Sequence, residues 1–388
     1  MPVTQLTHLY LMHRYLLLFL GLTSICFGAG RGSPEDEIPN FDLDDYYIEP
    51  KFNMNLGFRG LSGAKTAFRG NGFMTSFSQL QDATSTDVVR GYHDGSVFLD
   101  TRNGSTDNKT NNWAFDDGRQ IINNGADIAF HEYSAQTTGG TTKNSDQGLS
   151  LGAELVVSRD LGKIGNRIEW MITAGVSLNG IQDSVRGNVM ADIKTITDVY
   201  SLAGQTIPES APYEAPSYEF DFNGDRTETT VLLGRSPDSR TETNTSNDSQ
   251  VSSFSKLRGH YLTLRVGPTF RVQITDKLRF TVSGGPVLVH SGSTYSVNRD
   301  FEVATTAADI GATVRDQVSS TTAENMTGYY ADAGLEYLLS EYSGFYLGAF
   351  YQTAGSYTQY ITEQSSSYEL DIDLSRLQGF RGGLNFKF

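Results

Sequence analysis

Apolar and polar residues alternate with a period of two through eight segments of the chain. In the last segment, Phe380, Leu384, Phe386 and Phe388 share one face of an extended strand, and the other face is polar. Successive side chains of a strand point to opposite faces, so this pattern predicts strands with one apolar and one polar side. The other segments cover residues 52–59, 149–157, 169–178, 262–271, 278–288, 329–339 and 345–352, the last of which is less regular because of Tyr346 and Phe350.

The connections between these segments alternate between short and long. The short ones lie at 158–166, around 275–277 and at 340–343, and the long ones at about 62–146, 180–256, 292–326 and 357–375. Segments of about ten residues, short turns on one side and long loops on the other are typical of membrane-spanning barrels. We therefore expect residues 51–388 to form an all-β, antiparallel up-and-down β-barrel of eight strands, with long extracellular loops and both termini in the periplasm.

A ten-stranded barrel is the alternative. Two stretches inside the first long loop, 88–100 and 126–133, also have a β-like pattern. They could extend the barrel wall outward or form a fifth hairpin.

The N-terminal residues have the layout of an export signal. His13-Arg14 precede an apolar stretch at 15–22, and small residues follow at 28–30. This stretch is too short to span a bilayer, and small residues are typical of a cleavage site. We expect 1–30 to be a signal peptide, with Met12 as a possible start, and 31–50 to be an acidic periplasmic lead-in.

The overall charge limits the possible partners. The formal net charge is −15, with 45 acidic and 30 basic residues, which disfavours nucleic acid. The single cysteine, Cys26, lies within the predicted signal peptide, so the mature chain has no disulfide to form. We expect no cofactor and no metal.

The polar faces of the predicted strands carry charges of both signs. A narrow barrel is filled by its own side chains, and charges buried there are expected to form ion pairs that close it. A passive channel lined by arginines is the alternative. The predicted lumen charges are Arg59, Arg265, Arg271, Arg279, Arg381 and Lys387 with Glu154, Glu169, Asp332 and Glu336.

These features together resemble the small bacterial outer-membrane β-barrel proteins, the group that includes the OmpA transmembrane domain, OmpX and OmpW. The resemblance covers the architecture and the aromatic last strand, and no loop motif contributes to it. It implies that Phe380, Leu384, Phe386 and Phe388 form a signal for the barrel-assembly machinery. It also implies lipid and lipopolysaccharide as partners of a monomer in the bacterial outer membrane.

The sequence favours a structural or surface-interaction role, with acidic loops facing an extracellular ligand that it does not identify. A lipid-modifying enzyme is a less favoured alternative, because the suggestive pairs, His131 with Ser134 and His290 with Ser293, have a spacing of three rather than the spacing of two found in eight-stranded lipid A deacylases. We therefore expect no catalytic residues.

Overall fold

The computed structural model describes residues 51–75, 89–99, 109–165, 167–206, 210–214, 222, 231–303, 312–363 and 366–388. The chain divides into two units, residues 1–49 and 50–388. The predicted signal peptide and acidic lead-in lie outside the described residues.

The described part of the chain is built almost entirely from strands, and every strand pairing in it is antiparallel. No helix in the described ranges has the length and apolar character needed to cross a bilayer. The strands are β1 (Phe52–Ser62), β2 (Lys65–Asn71), β3 (Phe73–Thr75), β4 (Val89–Tyr92), β5 (Gly95–Leu99), β6 (Thr110–Phe115), β7 (Ile121–Ile122), β8 (Asp127–Thr137), β9 (Thr141–Asp146), β10 (Ser150–Ile164), β11 (Ile168–Ser201), β12 (Tyr213–Glu214), β13 (Ser239–Gln273), β14 (Leu278–Val303), β15 (Ala312–Leu338), β16 (Ser343–Gln352), β17 (Ser356–Glu363), β18 (Ser366–Asp373) and β19 (Leu377–Lys387).

The largest sheet contains eleven strands, and eight of them form a series of pairings that returns to its starting point. The order is β1, β10, β11, β13, β14, β15, β16, β19 and again β1. We call this set the strand cycle. Each of the eight segments predicted from the sequence lies largely within one of its strands. The alternation of apolar and polar residues therefore located these strands correctly.

Side chains of the strand cycle alternate between an inward and an outward face. On β15, Tyr330 and Asp332 are buried, whereas Leu335 is 46% exposed. The irregular segment obeys the same rule, since Tyr346 and Phe350 of β16 point inward and are buried. These two aromatic side chains interrupt the sequence pattern because they pack inside the strand cycle.

The strands continue far beyond the predicted loop boundaries. β11 and β13 contain 34 and 35 residues and pair almost throughout their length. Long loops were predicted at 180–256 and 292–326, but the described residues 180–201, 239–256, 292–303 and 312–326 belong to strands. Several inward positions there are apolar and buried, including Ile181, Leu257 and Val297, but polar residues on both faces conceal the alternation.

The predicted first and fourth long loops contribute a second sheet. It has four strands in the order β17, β18, β2, β9. One face of this sheet packs against the inward face of the extended strands, with Phe68 and Leu370 meeting Leu257 and Tyr295 in one cluster. Full burial of a side chain of this size is worth about 1.5–3 kcal/mol. Hydrophobic burial thus holds the two sheets together.

A third sheet has the order β12, β6, β5, β4. It packs against the outward face of the end of β11 and the same side of its neighbour β8. Trp113 and Phe115 of β6 meet Phe130 and Tyr200 there. The stretches considered for a fifth hairpin lie here: β4 and β5 belong to this small sheet, and β8 pairs with β11 only at Ala191–Ser201. Neither is part of the strand cycle.

Candidate functional site

On the inward face of the strand cycle, two arginines each form ion pairs with the same two carboxylates. Arg265 lies 3.0 Å from Glu154 and 3.2 Å from Asp332, and Arg381 lies 3.2 Å and 2.7 Å from the same two carboxylates. All four residues are buried. Each charge has two opposite neighbours, so the group is neutral overall. We call these four residues the charge square.

A second ion-paired group lies nearer the end with the short connections. Arg271 is 3.2 Å from Glu336, 3.5 Å from Glu169 and 4.0 Å from Asp160. Asp160 was not in the predicted set, because it follows the segment in which alternation is evident. Among the described residues, Arg279 and Lys387 have no carboxylate within ion-pair distance, and both are partly exposed. They are not part of the buried network.

Arg59 is fully buried but is not ion-paired. Its guanidinium donates hydrogen bonds to Ser177 Oγ, at 2.6 Å, and to Gln352 Oε1. The same group lies 3.9 Å from the centre of the Phe350 ring. The prediction that the lumen charges pair with each other is therefore wrong for Arg59, which has two neutral acceptors and an aromatic face in place of a carboxylate.

Inward aromatic rings accompany three of the buried arginines, Arg59, Arg265 and Arg381. Arg265 lies 5.1 Å from the Tyr330 ring and Arg381 lies 5.7 Å from the Tyr346 ring. Such contacts with a ring face favour a cation, more so where water is excluded. Tyr346 and Phe350 interrupt the alternation of the sequence, which is the signal by which these partners could have been found.

Little free space remains around these charges. A cavity of about 20 Å³ lies beside Arg271, Glu336 and Arg381, which is room for about one water molecule. Next along the interior, the apolar core between the second sheet and the extended strands begins with Leu61 and Tyr261. The interior is thus filled first by charged and then by apolar side chains.

One pair considered for catalysis, His290 and Ser293, is separated by the strand itself. His290 points outward, where its Nδ1 lies 2.8 Å from Asn325 Oδ1. Ser293 is buried on the inward face, hydrogen-bonded to Tyr357 and Gln359. Opposite faces of β14 prevent the two from acting on one substrate. In the described ranges, no group of three His, Cys, Asp or Glu side chains has a metal-binding arrangement.

Another polar cluster lies where the third sheet meets β8 and β11. Asp94 accepts hydrogen bonds from the His131 backbone N–H at 2.7 Å and lies 2.6 Å from its Nδ1. Asp198 is held by Arg240 and by the Tyr92 hydroxyl. Burial raises the pKa of the Tyr92 phenol, so it remains a hydrogen-bond donor. These contacts attach the β4–β5 turn to β8.

Comparisons with known proteins do not establish a family. No protein-family model matches the chain, and no curated protein matches its sequence. Among solved structures, it is similar to the outer membrane protease OmpT from Escherichia coli, at 11% identity, with 87% of this chain and 97% of that one covered and a TM-score of 0.25. A Pseudomonas aeruginosa FadL homologue has 10% identity, coverage of 87% and 90%, and a TM-score of 0.19. The Ralstonia pickettii toluene transporter TbuX has 9% identity, coverage of 88% and 90%, and a TM-score of 0.12. TM-scores this low do not indicate a barrel size or an activity for this chain.

Removing one carboxylate of the charge square should strongly destabilise the fold. Asp332→Ala leaves Arg265 and Arg381 with only Glu154, and breaking a buried pair in this way costs about 3–5 kcal/mol. The measurement is the free energy of unfolding in urea, with the protein folded in detergent. The matched control is Glu369→Ala, because Glu369 pairs with Arg69 at the surface, where such pairs contribute about 1 kcal/mol or less. Equal losses in the two variants would contradict a special role for the square.

Glu132 should make stability depend on pH. Its side chain is buried, and burial raises its carboxyl pKa from 4.5 to about 7, with Asp198 adding to the rise and Arg240 and Lys194 opposing it. The unfolded state loses this proton at lower pH than the folded state. The stabilisation that comes from the protonated Glu132 side chain is therefore complete below pH 4.5 and is lost as the pH rises through about 7.

The test compares the wild type with Glu132→Gln, which cannot ionise. Above pH 7 the glutamine variant should be more stable than the wild type, by up to roughly 3 kcal/mol, and this gain should vanish near pH 4. Urea unfolding at a series of pH values measures it. Parallel pH profiles for the two proteins would contradict the raised pKa.

Proposed function

We propose that this chain is a bacterial outer-membrane protein whose strand cycle is an eight-stranded barrel with a filled interior. The observation that supports this most is the outward face of the cycle, which bears a band of exposed apolar side chains over a buried, charged inward face. A soluble protein has the reverse arrangement, because water favours polar surfaces and apolar cores. Members of the band include Leu56, Phe58, Leu151, Leu155, Trp170, Ile172, Leu178, Val266, Phe270, Val282, Leu335, Tyr337, Leu347, Phe380 and Leu384.

The connections give the proposed orientation. β10–β11, β13–β14 and β15–β16 are joined by three or four residues at one end, where β1 begins and β19 ends. The second and third sheets lie beyond the other end. Short turns face the periplasm in outer-membrane barrels, so we place both ends of the cycle there and the two extra sheets outside the cell.

The filled interior suggests anchoring and surface display for a monomer. In this proposal the charge square and the apolar core close the interior to solutes, and the protein acts through its external sheets. Lipid and lipopolysaccharide would contact the band. Phe380, Leu384 and Phe386 lie on the outward face of β19, and Phe388 stacks on Phe52 at 6.1 Å. In this proposal the assembly machinery recognises these four residues before β19 pairs with β1.

Placing a charge within the apolar band tests the membrane location. Leu335→Arg should destabilise the protein folded into liposomes by about 2–4 kcal/mol, because an arginine in the band meets hydrocarbon. Ser319→Arg is the matched control, since Ser319 is also outward and exposed on β15 but lies beyond the band. Its effect should be below about 1 kcal/mol. If both variants are equally stable in liposomes, the outward face does not contact lipid.

Conductance distinguishes the filled barrel from the alternative of a narrow passive channel. We expect no steady unitary currents from the wild type in a planar bilayer, because paired charges and apolar side chains fill the interior. Insertion is checked independently by protection of the strand cycle from external protease. Steady currents from inserted protein would show an open path and contradict the filled interior.

A further inference from the structure

The outward face of β11, β13, β14 and β15 changes character immediately beyond the apolar band. Leu178, Leu262 and His290 lie in one row across the sheet, because the strands pair in register at these positions. The next row contains His260, and the row after it contains Arg258. The following rows contain Lys256 and then Arg186. Basic side chains thus begin where the band ends.

These side chains point away from the interior. Leu257 and Tyr261 on the same strand are fully buried, so that the alternating positions Lys256, Arg258 and His260 face outward. Arg258 and His260 are exposed. We call Arg186, Lys256, Arg258, His260 and His290 the basic patch.

No carboxylate lies among the outward positions around the patch. Outward residues of 180–188, 254–262, 288–298 and 319–329 are otherwise neutral. The nearest acids along these strands, Asp183 and Glu324, occupy inward positions: Asp183 binds Ser145, and Glu324 pairs in register with the buried Ser291. Lys256 and Arg258 have no ion pair with any described residue. A local surface of this sign is unexpected on a chain of net charge −15.

The height of the patch matches the polar zone of a membrane. Residues of a strand rise about 3.3 Å each, so His260, Arg258 and Lys256 follow Leu262 at roughly 7, 13 and 20 Å along the strand. Strand tilt shortens these heights. Charged lipid headgroups begin at this level above the hydrocarbon, and they attract basic residues that lie near them.

We propose that the basic patch binds the phosphate groups of lipid headgroups in the outer leaflet that surrounds the strand cycle. The proposal rests on the membrane location given above. Arg258 and Lys256 supply charge, and the hydroxyls of Ser184, Thr294 and Ser296 lie in the same rows for additional hydrogen bonds. Arg186 is held beside the Phe254 ring, at 5.3 Å, at the far edge of the patch.

The test uses the full chain folded in neutral detergent and titrated with diphosphorylated lipid A or with its dephosphorylated form. The wild type should retain the diphosphorylated lipid in native mass spectrometry and bind the other form at least tenfold more weakly. Lys256→Gln/Arg258→Gln should weaken binding of the diphosphorylated lipid by roughly thirty-fold, the equivalent of about 2 kcal/mol for two basic residues. Raising salt to 0.5 M should weaken wild-type binding, since screening acts on exposed charges.

The matched control is Arg167→Gln/Lys277→Gln, which removes the same charge at the end with the short connections and should leave binding unchanged. Equal affinity of the wild type and the patch variant would overturn the proposal. Displacement of the lipid by millimolar inorganic phosphate would also overturn it, because the patch would then bind free anions. Liposome insertion of both variants separates these results from a failure of the membrane location: protein that inserts but shows no phosphate preference contradicts the patch alone.

Discussion

The double pairing of β1, with β10 on one side and β19 on the other, is the constraint on which the rest of the structure depends. β1 and β19 are joined over ten residues, from Asn53 with Lys387 to Ser62 with Gln378. Because this pairing leaves no free edge in the cycle, one face of every strand must face a shared interior and the other must face outward. The chemistry of each position then follows from its parity along the strand.

That constraint explains the distribution of charge in the interior. Polar inward residues near the short connections are not solvated by bulk water, so they must form ion pairs and hydrogen bonds with one another. The charge square does so with two bases and two acids, and Arg59 does so with hydroxyl, amide and aromatic groups. Arg59 occurs at the boundary where charged residues give way to Leu61 and the apolar core, a position at which no carboxylate is available. The rings of Tyr330, Tyr346 and Phe350 lie beside the guanidinium groups of Arg265, Arg381 and Arg59 near this boundary.

The sequence reveals the strands of the cycle because alternation there concerns large apolar and polar residues. It also predicts the members of the charge square, since Glu154, Arg265, Asp332 and Arg381 each lie on the polar face of their own strand. It does not reveal Asp160 or Gln352, because their roles depend on which strands become neighbours. The extensions of β11, β13, β14 and β15 are hidden for another reason. Their outward residues are mostly polar, many of them serine, threonine and asparagine, and the composition resembles that of a solvated loop.

The two halves of the long strands therefore differ most in what the outward face contacts. Most inward positions are buried or partly buried, first against charges and then against the second sheet, but outward positions change from mainly apolar to mainly polar residues. Val266 and Leu264 on β13 give way to His260 and Arg258 within a few residues. A single continuous strand can cross from hydrocarbon to water in this way because its backbone hydrogen bonds are satisfied by its neighbours in both media. If the strand cycle spans a membrane as proposed, its position in the bilayer follows from the outward side chains, and the basic side chains lie at the outer boundary of the apolar band.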